Sequence, residues 1–132
     1  MDAAALRSAL ENDPRITYAL IFGSVARGTE HAGSDVDVAI GLRPGPPLAP
    51  LEVGAIVSAL ESATRRNVDL VLLDEAPPGL AYRIFRDGRV VFERDPGAFV
   101  DRKTRAILES LDYRPFEEIF TRGAIAAAAR GR

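Results

Sequence analysis

The 132-residue sequence contains no cysteine and no tryptophan, and it has one methionine, one histidine and one lysine. The absence of cysteine excludes disulfide bonds, a thiolate zinc site and a cysteine nucleophile. No apolar run approaches the roughly 20 residues that a membrane-spanning helix needs. The first residues also lack the basic-then-apolar pattern of a secretion signal. These absences predict a cytoplasmic protein that does not interact with a membrane.

Charge of neither sign dominates, since 19 acidic residues accompany 17 basic ones and the net charge is −2. Proteins that bind nucleic acid directly usually carry a basic patch or a high isoelectric point, so we expect no direct nucleic-acid binding. The length suits a single hydrophobic core. We therefore expect one domain over residues 1–132, with a helical C-terminal part over about 96–132.

The stretch from Tyr18 to Leu42 carries the most informative pattern in the chain. An apolar run rich in β-favouring residues indicates a buried strand, and the small residues after it indicate a corner. The segments follow in the order strand, corner, helix start, loop and second strand: Tyr18–Phe22, Gly23-Ser24, Val25–Arg27, Gly28–Gly33 and Asp35–Ile40.

Two aspartates, Asp35 and Asp37, occupy alternate positions of the second predicted strand. Side chains at i and i+2 of a strand point to the same face, roughly 6.6 Å apart along the chain, so these like charges oppose each other. Val36, Val38 and Ile40 would then face an apolar core. A divalent cation relieves such repulsion, and Mg²⁺ prefers carboxylate oxygens. An isolated Asp-x-Asp is more often a solvated strand edge, so the context decides.

The corner before the short helix suits the phosphates of a nucleotide. Gly23 has no Cβ and lets the backbone approach a phosphate, while Ser24 offers a hydroxyl donor beside the amides of a helix N-terminus. Arg27 could neutralise triphosphate charge, although a structural ion pair with a nearby carboxylate explains this residue equally well. An isolated Gly-Ser is usually only a turn, and its combination with Asp35 and Asp37 favours a nucleotide site.

The motif Gly23-Ser24-x-Ala26-Arg27-Gly28, followed by Ser34-Asp35-x-Asp37, resembles the signature of the DNA polymerase β-type nucleotidyltransferase superfamily. Within that superfamily, the chain is similar to the minimal nucleotidyltransferases, the MntA-like antitoxins encoded beside HEPN-domain (HepT-like) toxins. The signature covers only residues 23–37, but the likeness continues through the later segments. The resemblance implies a polymerase β-like nucleotidyltransferase fold.

A third carboxylate, Asp69, lies near the start of the predicted third strand, Asn67–Leu73. Neighbouring strands lie about 4.8 Å apart, so Asp69 can reach Asp35 and Asp37 if this strand lies beside the second one. A strand-end aspartate that faces water is the alternative interpretation. The family resemblance favours a third catalytic carboxylate.

The resemblance implies a Mg²⁺-dependent nucleotidyltransferase that transfers AMP from ATP to a tyrosine hydroxyl of a partner HEPN toxin. It assigns catalysis and the binding of two Mg²⁺ ions to Asp35, Asp37 and Asp69, and nucleotide binding to Gly23, Ser24 and Arg27. Two alternatives stay open. One is a non-catalytic antitoxin that neutralises the toxin by binding it, and the other is nucleotidyl transfer to a small molecule.

The remaining segments predict a small α/β (α+β) fold, a mixed, twisted sheet of about four strands flanked by helices. The other predicted helices and strand cover Asp2 to about Asn12, Leu51–Arg65, Leu80–Arg86, Arg89–Glu93 and Asp95 to Leu111. Arg43–Pro50 contains four prolines and predicts a stiff loop. We further expect Asp112–Pro115 to break the last helix, before a final helix with Phe116, Ile119 and Phe120 on one face and a frayed end over Ala124–Arg132.

Overall fold

The computed structural model describes residues 1–29, 31 and 33–122, and side chains of the last helix up to Leu111. In chain order the elements are α1 Ala3–Glu11, β1 Ile16–Phe22, α2 Gly23–Arg27, β2 Val36–Leu42, α3 Pro50–Thr64, β3 Val68–Leu72, a 3₁₀ turn Leu73–Glu75, α4 Pro78–Asp87, β4 Arg89–Glu93 and α5 Pro96–Arg122. The predicted mixture of helices and strands is confirmed.

Side-chain caps explain where helices begin. The Asp2 carboxylate accepts a hydrogen bond from the Ala5 amide at 3.0 Å and starts α1 as predicted. Pro50 occupies the first turn of α3, where its missing N–H costs no helical hydrogen bond. The Asp95 carboxylate accepts from the Ala98 amide at 3.1 Å and caps α5.

The four strands form one mixed sheet in the order β3-β2-β1-β4. β1 pairs antiparallel with both β2 and β4, whereas β2 and β3 run parallel. A parallel pair cannot be joined by a tight turn, and α3 provides the crossover between β2 and β3. The mixed four-stranded sheet agrees with the prediction, and it puts the starts of β2 and β3 at the same end.

Helices cover both faces of the sheet. The predicted core residues Val36, Val38 and Ile40 are fully buried in a cluster on one face, together with side chains from α1 and α3. On the other face, α4 and α5 pack against the sheet with buried side chains that include Ile84 and Ala106. The sheet is therefore held between helical layers, which fixes the strand ends that carry the aspartates. Among the described residues, no helix is long and apolar enough to cross a bilayer.

The expected break at Asp112–Pro115 is wrong, because α5 continues from Pro96 to Arg122. Proline removes one backbone donor and crowds the preceding turn. In a helix of 27 residues the other turns keep their hydrogen bonds, so one missing bond does not oblige the helix to end. The predicted roles of Phe116, Ile119 and Phe120, and the expected end over Ala124–Arg132, fall outside the described part.

A buried guanidinium attaches α5 to the 3₁₀ turn that follows β3. Arg102 is 5% exposed, and its Nη2 donates to the Leu73 carbonyl at 2.8 Å. Nε and Nη1 have no hydrogen-bond partner among the described residues, and the carboxylates of Asp74 and Glu109 lie 3.7 Å from Nε and 3.8 Å from Nη1. Burial lowers the pKa of Arg102.

On the exposed side of the same helix, four large apolar side chains face solvent: Val100, Ile107, Leu108 and Leu111. We call these four the α5 stripe.

Candidate active site

The corner between β1 and α2 is tight because Gly23 adopts a φ of +70°. Residues with a side chain rarely adopt this left-handed conformation. A Cβ at this position would also overlap Oδ2 of Asp37. The absence of a side chain at Gly23 therefore lets the Asp37 carboxylate lie directly against the corner.

Ser24 and Arg27 lie on the short helix that follows. The Ser24 carbonyl accepts from the Thr29 amide at 3.0 Å, which holds the next loop, while its half-buried hydroxyl bonds to no described residue. Arg27 is exposed and forms no ion pair with a described carboxylate. Burial and the charges of Asp69 and Asp35 raise the pKa of Asp37. The positive charge of Arg27 opposes this rise and is the smallest of the contributions. A donor hydroxyl and a cation are thus available beside the corner.

Asp37 and Asp69 are direct partners across the parallel strands β2 and β3. Such partners point to the same sheet face about 4.8 Å apart. The prediction that the strand of Asp69 lies beside the strand of Asp37 is therefore confirmed. Asp35 differs from expectation in one respect, because β2 begins at Val36 and Asp35 lies in the exposed segment just before it.

The carboxylates share one negative field. Burial raises the pKa of Asp37, and the charges of Asp69 and Asp35 raise it further, in that order. Because electrostatic effects of this kind weaken with distance, the pattern places all three groups in one neighbourhood. A cluster of this composition attracts cations.

The chemistry of the three carboxylates fits Mg²⁺, which takes hard oxygen ligands. Two observations support the fit: burial and the repulsion by Asp69 and Asp35 raise the pKa of Asp37, and the Gly23 corner leaves room for its carboxylate. Within residues 1–29, 31 and 33–111, no three acidic or histidine side chains converge on a single ion position. The described side chains thus form a loose acidic cluster around the starts of β2 and β3.

Sequence reasoning missed Glu61, whose carboxylate accepts from the Val68 amide at 2.9 Å. This bond fixes the start of β3 one residue before Asp69. The only available signal was an acidic residue next to Leu60, on the buried side of α3.

A cavity of about 480 Å³ was missed as well, and it lies at the opposite end of the sheet, where Ile40 and Leu72 line it.

Solved structures with this fold include toxin–antitoxin assemblies. One, described as a toxin-antitoxin with AMP-PNP, is 21% identical over 95% of this chain and 99% of that chain, with a TM-score of 0.78. The toxin-antitoxin MntA-HepT is 17% identical over 93% and 96%, with a TM-score of 0.71. The third, a tri-AMPylated HEPN toxin from Shewanella oneidensis in complex with MNT antitoxin, is 18% identical over 93% and 95%, also with a TM-score of 0.71. At these identities the likeness establishes the fold.

Sequence comparison adds the family. No curated protein sequence matches the chain significantly. The family model for polymerase beta nucleotidyltransferases matches residues 5–97, which include the Gly23 corner and the three aspartates. The chain therefore belongs to the polymerase beta nucleotidyltransferase family.

Proposed function

We propose that the protein transfers AMP from ATP to a tyrosine hydroxyl of a HEPN toxin and so acts as an antitoxin. The observation that carries the proposal is the acidic cluster of Asp35, Asp37 and Asp69 beside the corner at Gly23 and Ser24. Such a cluster binds cations, and a corner with a free hydroxyl binds phosphate. The shared fold with MntA–HepT assemblies supports the choice of a HEPN toxin as acceptor.

The nucleotide side of the site consists of Gly23, Ser24 and Arg27. The Ser24 hydroxyl, which no described residue engages, donates to the β- or γ-phosphate, and Gly23 brings its backbone amide close to the same group. Arg27 forms no ion pair with a described carboxylate and neutralises triphosphate charge. These contacts hold the triphosphate so that its α-phosphorus faces the aspartates.

Asp35 and Asp37 are the residues that would hold two Mg²⁺ ions, and Asp69 would share the ion on the acceptor side. When bound, Mg²⁺ neutralises phosphate charge and favours the ionised form of the acceptor hydroxyl. The acidic cluster also repels the triphosphate when no cation is present, because all its charges have the same sign as the nucleotide.

The transfer itself exchanges one bond for another. The tyrosine oxygen forms a bond to the α-phosphorus, the bond between this phosphorus and the α–β bridging oxygen breaks, and pyrophosphate leaves with the electron pair. The proton of the hydroxyl passes to the Asp69 carboxylate. A phenol with a pKa near 10 gives up this proton more easily than an aliphatic alcohol, which favours tyrosine as the acceptor.

Intact-mass spectrometry of a purified HEPN toxin tests the function. After incubation with ATP, Mg²⁺ and this protein, we expect one or more AMP adducts on the toxin and loss of its RNA cleavage. The Asp35→Asn variant should leave both toxin mass and RNA cleavage unchanged. If the wild type and Asp35→Asn silence the toxin equally without a mass change, the protein neutralises by binding alone.

Gly23→Ala tests the corner separately from the aspartates. The new methyl group overlaps Oδ2 of Asp37 and displaces that carboxylate, so we expect transfer to fall roughly 100-fold. Gly28→Ala is a matched control, because Gly28 has a φ of +73° but no atom of the described residues lies within 4 Å of the added Cβ. Both variants carry the same backbone strain, on the order of 1 kcal/mol. Equal rates in the two variants, measured with labelled ATP, would contradict the proposed role of the corner.

A further inference from the structure

We propose that an extended segment of the protein acceptor binds along the outer edge of β3 as an added strand, placing its hydroxyl-bearing residue next to Asp69. The proposal rests on the proposed function for the identity of the acceptor, but its structural basis is independent. It rests on the position of β3, the direction of its backbone groups and the shape of the surface at its far end.

β3 is an edge strand, because the sheet order places it outside β2. Asp69 lies on this edge strand, directly beside Asp37. A strand added at the edge would lie about 4.8 Å from β3, and its residue opposite Asp69 could point its side chain to the same face. The geometry therefore brings an acceptor hydroxyl to the proposed proton acceptor without a separate binding domain.

The hydrogen bonds of β3 alternate between its two sides. The Val36 amide donates to the Asn67 carbonyl, so the register directs the backbone groups of Asp69 and Val71 toward β2. Those of Val68, Leu70 and Leu72 point outward. Glu61 accepts from the outward Val68 amide, in agreement with this direction. No described residue bonds to the N–H or C=O of Leu70 or to the N–H of Leu72.

The opposite edge of the sheet is protected. On β4, the Val91 carbonyl accepts from Nη1 of Arg7 at 3.3 Å, and α1 packs alongside. The pairing of β1 and β4 also contains a register irregularity, and charged residues occupy both ends of β4. Proteins use such devices to block unwanted strand pairing. Along β3, Leu70, Val71 and Leu72 are half-buried apolar residues, and the register with β2 has no irregularity, although Asp69 precedes them.

The cavity of about 480 Å³ lies where β3 ends and would receive the other end of the segment. Its lining combines apolar side chains with charged groups of both signs, namely Arg15, Arg43, Glu52, Asp74 and Glu75. Arg43 and Glu75 are the two lining charges that form no ion pair with a described residue, so the cavity can receive a polar residue of the segment. Five residues of β3 separate the cavity from the start of the strand, a span of roughly 17 Å that an extended segment of similar length covers.

Amide hydrogen exchange with a purified HEPN toxin tests this docking mode. In the free protein, we expect the amides of Leu70 and Leu72 to exchange quickly and those of Asp69 and Val71 to be protected. Saturating toxin should slow exchange at Leu70 and Leu72 at least tenfold and leave Asp69 and Val71 as they were. Toxin binding that leaves Leu70 and Leu72 unchanged, with protection at the α5 stripe instead, would overturn the proposal.

Leu70→Pro removes the outward N–H and leaves the bonds from β3 to β2 in place, as proline at a strand edge allows. Leu70→Ala is the matched control, because it removes the same side chain but keeps the N–H. We expect the KM for the toxin to be roughly fivefold to tenfold higher in Leu70→Pro than in Leu70→Ala, as for one lost backbone hydrogen bond. Equal KM values in two variants with native amide spectra overturn the proposal.

The two proposals fail in distinguishable ways. If the toxin receives AMP from the wild-type protein but Leu70 and Leu72 stay unprotected, the transfer function stands and strand addition is wrong. If Leu70 and Leu72 become protected but no AMP adduct forms, strand addition stands and the transfer function is wrong.

Discussion

Asp37→Asn is expected to abolish AMP transfer, with a fall of at least 1,000-fold at saturating Mg²⁺ and ATP. Asp37 combines a half-buried strand position, the contact with the Gly23 corner and proximity to both other aspartates, so its charge is the centre of the proposed cation site. Loss of one metal-holding carboxylate removes both the ligand and the field that gathers cations. Transfer of labelled AMP to a HEPN toxin is the measurement.

The same variant should stabilise the fold at neutral pH when no Mg²⁺ is present. Burial, Asp69 and Asp35 raise the pKa of Asp37 above 3.8. The raised pKa contributes to the free energy of unfolding, and this contribution is fully present below pH 3.8. It is lost as the pH rises through the raised pKa of Asp37. Asparagine carries no charge and avoids this loss, so we expect a higher midpoint of thermal unfolding than for the wild type.

Asp101→Asn provides the control for both measurements, because Asp101 is an exposed carboxylate on α5. It should leave transfer and the unfolding midpoint unchanged. Added Mg²⁺ should raise the midpoint of the wild type and of Asp101→Asn but not that of Asp37→Asn. Full transfer activity in Asp37→Asn would refute the assignment of the metal site.

Asp69→Asn is expected to lower transfer by roughly 1,000-fold while ATP binds with nearly unchanged affinity. The expected loss lies within the range for removal of a general base, 100-fold to 10,000-fold. Asp69 lies on the outer strand, on the far side of Asp37 from the Gly23 corner, so the proposed phosphate contacts do not include it. Isothermal calorimetry with Mg·ATP measures binding, and toxin labelling measures transfer.

The contrast with Asp37→Asn separates the two roles, since that variant should weaken ATP binding as well as transfer. Wild-type transfer rates from Asp69→Asn would mean that Asp69 is an ordinary strand-end residue facing water. Loss of ATP binding in this variant would instead place Asp69 on the nucleotide side of the site.

The sequence was sufficient to predict the pieces of the site whose causes are local. The apolar run before Gly23 and the alternation of Asp37 with Val36 and Val38 follow from strand periodicity. The sequence places Asp69 near the other two aspartates only if its strand lies beside the strand of Asp37. The parallel register confirms that prediction. The position of Asp35 was predicted less well, because strand ends depend on which amides find a partner across the sheet.

Features made by distant segments were not predictable. Arg102 is charged and lies in a helix whose stripe is exposed, yet packing against the 3₁₀ turn after β3 buries it. The cavity beyond β3 brings together segments from β2, the proline-rich loop and the turn after β3, and no local pattern reveals such a meeting. At Pro115, by contrast, the local rule that proline ends a helix gave a wrong prediction, because α5 continues through this residue.

The mixed direction of the sheet has a consequence for the order in which the protein acquires its parts during folding. β1 and β2 pair across the short α2 and one loop, whereas β3 can join β2 only after all of α3 has crossed the sheet. Contacts between near neighbours in the chain carry a smaller loop-closure entropy and form more readily than distant ones. We expect mutations in β1 and β2 to slow folding, and mutations in β3 mainly to speed unfolding. If Asp69 accepts the acceptor proton as proposed, catalytic competence is one of the last properties that a newly made chain gains.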